Sequence, residues 1–223
     1  MVEGIFFDAH GVLYERHQST TPFALKLLAE RGYLTEVSKS GGERLTVLRS
    51  QASDGRLSAE TYWDEFLLIH GVAAASERTQ FAARIMERPH QVFELPGARS
   101  TLEALKQRGF ILGIITNTIY PLEWKVEWLA KVGVREFIDA VACSTAVGAH
   151  KPDPAIYLDA LTRTSLTPGG AAFVGHEAED LEGARQVGMT TVAVNYLPDT
   201  KADYFVQSLP DLLALPIFQG GHR

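Results

Sequence analysis

The stretch GIFFDAHGVLY, residues 4–14, decides the fold of this chain. It begins as a short apolar run that ends in Asp8, and His10 and Gly11 follow within three positions. Apolar runs without polar alternation are typical of buried parallel strands, because helices cover both faces of such a sheet. The stretch therefore predicts a buried strand that delivers polar side chains to one edge of a sheet.

Four further apolar runs have the same character. They are FILGIIT (110–116), FIDAVACS (137–144), AAFVG (171–175) and TTVAV (190–194). Segments with helical periodicity separate most of them, and an alternation of strands and helices is typical of α/β proteins. The predicted fold class is α/β, with a Rossmann-like, doubly wound parallel-sheet core.

One interval interrupts this alternation. Between residues 16 and 92 no strand is predicted, and four segments place apolar residues three and four positions apart, as amphipathic helices do. These segments are PFALKLLAERGY, GERLTVLRSQAS, SAETYWDEFLLIHG and SERTQFAARIMER. Ser58 is a suitable N-cap for the third helix. We therefore predict an all-helical cap domain over 16–92, inserted into a core domain that comprises 1–15 and 93–223.

Bulk properties restrict the partners. The chain has 223 residues, a net charge of −6 and a single cysteine, Cys143. An acidic chain is poorly suited to nucleic acid, and one cysteine excludes a disulfide within the chain. No signal peptide or membrane span is predicted, so we expect a cytoplasmic protein with a small-molecule substrate. The sequence leaves the oligomeric state open.

Polar residues follow several predicted strands where those strands end. Ligands of open α/β sheets bind outside the carboxyl ends of the strands, so these residues are expected to meet in one crevice. Lys151 lies in a loop just before a helix that Pro154 opens. The candidates at the strand ends are Asp8, His10, Thr116, Asn117, His176 and Asp180.

Together these segments resemble the haloacid dehalogenase superfamily of hydrolases. FFDAHGVL is similar to the first motif of that family, IITNT to the second, HKPDPAIY to the third and FVGHEAEDLEGARQVGM to the fourth. The resemblance covers nearly the whole chain, and the four motifs occur in the family's order. It implies a Rossmann-like core with a helical cap between the first two motifs.

The resemblance also implies roles for individual residues. The family's nucleophile falls on Asp8, which would form a covalent acyl intermediate that water hydrolyses. Thr116 and Lys151 would bind the oxygens of the transferred group, and Asn117 and Gly11 are predicted to contact substrate. Positive charge and hydrogen-bond donors are what a phosphoryl group in transit requires. The leading prediction is therefore a phosphatase-type hydrolase.

Two histidines depart from the family pattern. Phosphatases of the superfamily carry a second aspartate where this chain has His10, and an aspartate that helps to hold magnesium where it has His176. Histidine titrates near neutrality, so His10 is a candidate general acid and base. With Asp8, His176 and Asp180 as the predicted metal ligands, magnesium binding should be weakened, and another divalent metal or none is also compatible. Glu177 and Glu179 are not both expected to face the crevice.

Two alternatives stay open. DAHGVL is also similar to the first motif of 2-haloacid dehalogenases, which need no metal, and Asp8, Lys151, Tyr157 and Asp180 fit their pattern. A catalytically silent or repurposed binding protein is the other alternative, since fold alone does not fix activity. The candidates that would set substrate choice are Arg44, Arg49, Tyr62, Trp63, Tyr120 and Trp124.

Overall fold

A computed structural model of the protein describes residues 1–220. Its core is a six-stranded parallel sheet in the order β5-β4-β1-β6-β7-β8. The strands are β1 (Gly4–Phe7), β4 (Ile111–Thr116), β5 (Ala140–Cys143), β6 (Ala171–Gly175), β7 (Thr190–Val194) and β8 (Tyr204–Val206). The first five match the predicted runs. The sequence analysis missed β8, because three residues are too few to show a period.

Helices cover both faces of this sheet. They are α5 (Ala98–Gln107), α6 (Leu122–Lys131), α7 (Ser144–Val147), α8 (Pro154–Thr164) and α9 (Ala178–Gln186). Successive side chains of a strand point to opposite faces, and β1 shows this, since Phe6 and Phe7 belong to two separate apolar clusters. The α/β class and the doubly wound parallel sheet are confirmed.

Four α-helices lie within residues 16–92, as the periodicity predicts. They are α1 (Thr20–Glu30), α2 (Lys39–Ser53), α3 (Ala59–Ile69) and α4 (Ala75–Glu87). We call this segment the helical insertion. Ser58 caps α3 by accepting a 3.2 Å hydrogen bond from the amide of Thr61. The third helix buries Trp63, Phe66 and Leu67, and that apolar stripe holds the insertion together.

Two short strands form an antiparallel pair at the base of the helical insertion. They are β2 (Tyr14–Arg16) and β3 (Val92–Glu94). Neither was predicted, because each has three residues and their pairing joins segments far apart in the sequence. The division into a core and a cap domain stays a prediction.

The helical insertion contacts the core near the third-motif loop. Gly55 packs so closely on α7, which precedes this loop, that an added Cβ would lie 2.2 Å from the carbonyl oxygen of Thr145. Asp54 pairs with His150 beside it. Within residues 1–220, no helix is both long and apolar enough to span a bilayer.

Candidate active site

Asp8 lies at the carboxyl end of the central strand β1. Its amide donates to the carbonyl of Val174 at 2.9 Å, which continues the pairing of β1 with β6. Its Oδ1 atom accepts a 2.8 Å hydrogen bond from the amide of Ala9. The side chain is nearly buried, so its charge needs a compensating partner.

Lys151 supplies that partner and is buried as well. Its Nζ lies 3.0 Å from Oδ1 of Asp8 and 2.6 Å from Oδ2 of Asp180. Burial would raise the pKa of Asp8, but the ammonium outweighs it and the pKa is lowered. The pKa of Asp180 is raised, first by burial and then by Asp8. The two carboxylates hold the pKa of Lys151 above its ordinary value despite burial.

Asn117 fixes the loop that carries Lys151. Its Oδ1 accepts from the amide of Lys151 at 2.8 Å, and its Nδ2 donates to the carbonyl of the same residue at 3.1 Å. The neighbouring Thr116 hydroxyl is buried and has no hydrogen-bond partner. Asn117 therefore positions Lys151, while Thr116 keeps a free hydroxyl at the end of β4.

His10 is held by a carboxylate. Its Nε2 lies 2.5 Å from Oε1 of Glu15, and its ring meets Tyr14 edge to face. Burial and the charge of Arg16 lower the pKa of His10, although Glu15 opposes them. The lowered pKa favours the neutral imidazole, and within residues 1–220 the carboxylate of Glu15 lies beside its Nε2 without the geometry of a hydrogen bond.

His176 lies on the other side of Asp8. Its Nδ1 is 3.6 Å from Oδ2 of Asp8, beyond hydrogen-bond distance, and its Nε2 is 3.2 Å from Glu177. Gly11 packs beneath the imidazole with φ +79°, and an added Cβ would meet Cε1 of His176 at 2.7 Å. Position 11 therefore requires a glycine, because its φ is positive and because a side chain there would collide with His176.

These residues surround a crevice of about 900 Å³. We call it the outer crevice. Asp8, His10, Asn117, Lys151, His176 and Asp180 all line it. Glu177 and Glu179 line it too, so the expectation that they would not both face it is wrong. Glu177 precedes α9, which begins at Ala178, and the first turn of α9 lies at the crevice. Helical spacing therefore does not place Glu177 and Glu179 on different sides. Thr116 and Gly11 adjoin residues of its lining, Asn117 and His10, but do not themselves line it.

The donor set does not fit magnesium. Magnesium requires several oxygen ligands in octahedral geometry, whereas the ammonium of Lys151 stands between Asp8 and Asp180 and the third predicted ligand is an imidazole. Among residues 1–220, no three His, Cys, Asp or Glu side chains are grouped to hold a metal ion. We therefore derive no step through a metal.

Sequence analysis missed several buried charged and polar groups beside the outer crevice. Lys125 of α6 is buried, with Nζ 3.0 Å from the Tyr14 hydroxyl. Arg16 lies over the Trp128 ring, 4.9 Å from its centroid. The sequence does contain a signal for Lys125, because this lysine stands among the apolar residues of an amphipathic helix, at a position that is normally apolar.

The six candidates for substrate choice divide into two groups. Arg49, Trp63 and Tyr120 line a second, smaller cavity that adjoins the outer crevice. Arg44 instead pairs with Glu65 at the surface. Tyr62 packs in the core of the helical insertion, and Trp124 stacks between His90 and Tyr120.

The fold and the cluster define a Rossmann-like α/β protein with a paired aspartate and lysine where ligands of such sheets bind. The sequence matches the haloacid dehalogenase-like hydrolase family over residues 5–194. The chain belongs to this family.

Similar proteins include both phosphatases and dehalogenases. A glyceraldehyde 3-phosphate phosphatase of Methanothermobacter thermautotrophicus is 32% identical over 206 residues, covering 87% of this chain and 86% of that protein. The crystal structure of a HAD phosphatase from Thermococcus onnurineus superposes with a TM-score of 0.66 at 28% identity, covering 100% of both chains. A 2-haloacid dehalogenase from Pseudomonas syringae gives a TM-score of 0.69 at 27% identity, over 96% of this chain and 97% of that one.

Proposed function

We propose that the protein hydrolyses phosphate monoesters of small molecules, with Asp8 as the nucleophile. The single observation that carries this proposal is the ammonium of Lys151 held between Asp8 and Asp180. A buried cation beside a carboxylate keeps it ionised and offsets the negative charge of an approaching phosphoryl group. Phosphatase relatives that cover most of the chain support the same choice.

The hydrogen bonds of Asp8 indicate which oxygen reacts. Oδ1 accepts from Lys151 and from Ala9, whereas among the described residues Oδ2 has only the His176 ring nitrogen nearby, at 3.6 Å. The freer oxygen is the better nucleophile. Oδ2 attacks phosphorus, the bond to the ester oxygen breaks, and an aspartyl phosphate forms while Lys151 and Thr116 bind the transferred oxygens.

His10 handles the protons. In its protonated form it gives a proton to the leaving alcohol, and in its neutral form it then takes one from the water that attacks the aspartyl phosphate. Inorganic phosphate and free Asp8 result. Glu15 acts as the positioning residue for His10, because its carboxylate lies 2.5 Å from Nε2 and attracts the protonated ring. This sequence of steps does not require magnesium.

The helical insertion acts in this proposal as a cap. Arg49 of α2 lines both the outer crevice and the adjoining smaller cavity. Closing the insertion over the sheet would exclude water from the charged cluster and strengthen its electrostatic interactions.

Dehalogenation of 2-haloacids is the second candidate. The observation that favours it is the donor set, which does not fit magnesium, together with the Tyr157 hydroxyl that donates to the Asp180 carbonyl at 2.7 Å. In this reaction Asp8 would displace halide from carbon and form an ester that water hydrolyses.

A substrate panel separates the candidates. Aryl and alkyl phosphates and 2-haloacids are incubated with the protein in magnesium and in chelator. We expect release of inorganic phosphate in both conditions. Release of halide alone would replace the phosphatase by the dehalogenase, and no turnover by a folded protein would indicate a binding protein.

A further inference from the structure

A second cavity of about 280 Å³ adjoins the outer crevice, and we call it the inner pocket. It lies where the helical insertion meets the loop after β4 and the start of α6. His10, Arg49 and Asn117 line both cavities, so the two are continuous. A substrate whose phosphate lies at Asp8 therefore reaches the inner pocket with its other end.

The lining of the inner pocket is cationic. Among residues 1–220, Arg16, Arg49 and Lys125 line it, and no aspartate or glutamate does. Arg16 and Lys125 both lie against the Trp128 ring, 4.9 Å and 5.2 Å from its centroid. Two like charges at a buried site are unfavourable unless an anion offsets them.

Several hydrogen-bonding groups of the inner pocket are buried next to one another. The Trp63 indole N–H and the Thr20 hydroxyl lie beside the Tyr120 hydroxyl, and within residues 1–220 none of the three makes a hydrogen bond of good geometry. Their residues are 0%, 7% and 4% exposed. The Nε of Arg16 is unpaired as well. Buried polar groups in native proteins nearly always have a partner, so a polar ligand is the natural partner of this group.

We propose that the inner pocket binds a carboxylate carried by the alcohol part of the substrate. The proposal rests on the proposed function, because it names which phosphate monoesters the protein hydrolyses. A carboxylate offers two oxygens that accept several hydrogen bonds, and its planar shape matches a guanidinium. The pocket is at the lower limit of the size of ligand sites, so it suits a small group.

The state of Lys125 agrees with an anion at this place. Burial first, and Arg16 next, lower the pKa of Lys125 to about 7. Among the facing groups, Lys151 lowers it further, whereas Cys143 and Asp8 raise it slightly. A bound carboxylate would favour the charged lysine, so binding at pH 8 should be accompanied by proton uptake.

The first experiment measures kcat/KM for a matched pair of esters. One is 2-phosphoglycolate and the other is its amide, which has the same shape without the charge. The wild type should prefer the carboxylate, and Lys125→Met should reduce the ratio of the two values by about tenfold or more, since a hydrogen bond to a charged group is lost. Lys131→Met, on the exposed side of the same helix, is the control and should leave the ratio unchanged.

A smaller change in the inner pocket gives a second, independent variant. Trp63→Phe removes the indole N–H and keeps most of the apolar ring, so it should lower the same ratio by about threefold to tenfold. A ratio that is equal in the wild type and both pocket variants would overturn the carboxylate site, even if both esters are hydrolysed.

Binding without turnover separates this proposal from the proposed function. Calorimetry is carried out with 3-phosphonopropionate and with its amide, neither of which has an ester bond to hydrolyse. Tighter binding of the carboxylate, with proton uptake that Lys125→Met abolishes, would support the site even in a protein that hydrolyses nothing. Equal binding of the two phosphonates by the wild type would overturn it.

Discussion

Two buried lysines mark the two cavities and differ in how they are paired. Lys151 in the outer crevice contacts two carboxylates, whereas Lys125 in the inner pocket contacts one neutral hydroxyl, that of Tyr14. Pairing raises the pKa of Lys151, and burial without a counter-ion lowers that of Lys125 to about 7. Two buried lysines thus differ in charge near neutral pH. Lys151 stays charged, whereas the charge of Lys125 depends on pH and on what is bound beside it.

This difference separates two kinds of function. A charge that must be present in every turnover is paired within the protein itself. A charge that is neutralised by ligand is left without a protein partner, and its environment stays unfavourable until the ligand arrives. The outer crevice is therefore arranged for chemistry and the inner pocket for recognition.

The largest expected effect tests whether the chemistry belongs to the outer crevice. Asp8→Asn should lower turnover by more than about 1,000-fold, because an amide is a very poor nucleophile. The thermal midpoint should stay near that of the wild type, since the new side chain keeps an acceptor and Lys151 keeps Asp180. The matched control is Asp199→Asn, which changes an exposed carboxylate of the same crevice and should keep most of the rate. Retention of more than a few per cent of the rate would exclude Asp8 as the nucleophile.

The two lysines should respond to the same substitution with opposite signs of stability. Lys151→Met leaves two buried carboxylates unpaired and should lower the free energy of unfolding by about 3–5 kcal/mol. Lys125→Met removes a buried charge that has no counter-ion and should raise it by about 1–3 kcal/mol at pH 6. Denaturant unfolding of both variants measures the two effects.

The gain from Lys125→Met should also depend on pH. Below pH 7 the lysine is charged in both states, and the unfavourable burial of that charge is fully present. Between the folded pKa of about 7 and the ordinary value of 10.5, the unfolded chain binds the proton more tightly, so wild-type stability rises with pH. The advantage of the variant should therefore shrink from pH 7 to pH 9. An advantage independent of pH would show that Lys125 is not the titrating group.

The outer crevice should accept magnesium once its two histidines are replaced. His10→Asp with His176→Asp adds oxygen ligands and negative charge beside Asp8 and Asp180, so magnesium affinity should rise by about tenfold or more. The gain in magnesium-dependent hydrolysis of an aryl phosphate should exceed the sum of those from the single variants. If the folded double variant binds magnesium in calorimetry and stays inactive, the histidines are not what separates this site from a magnesium phosphatase.

The smallest expected effect connects the two cavities through Arg16. As the acid of the first step, His10 must carry a proton, so kcat/KM should fall as the pH rises through its pKa, which burial and Arg16 hold below the ordinary value of 6.5. Arg16→Gln should move that limb to higher pH by about half a unit. His10→Gln should remove it, and Arg44→Gln, at the surface of the helical insertion, should not move it. A limb that persists in His10→Gln would assign the proton transfer to another group.

Local sequence determined the core of the fold and the place of the site. Apolar runs over β1, β4, β5, β6 and β7 were readable because each run is buried on both faces and bounded by polar residues. The polar residues that follow them had to meet, because parallel strands bring their carboxyl ends to one edge. Asp8, Lys151 and Asp180 could thus be placed together before any distance was known.

Tertiary structure alone decided how those residues are paired and what surrounds them. Loops whose course no periodicity reveals bring Lys151 between two carboxylates. They also place Glu15 beside His10 and Gly11 beneath His176. The inner pocket could not be predicted either, because its cations and buried donors come from β2, α1, α2, α3, α6 and the loop after β4. Each of them is unremarkable in its own segment, and only packing removes them from water and makes their missing partners costly.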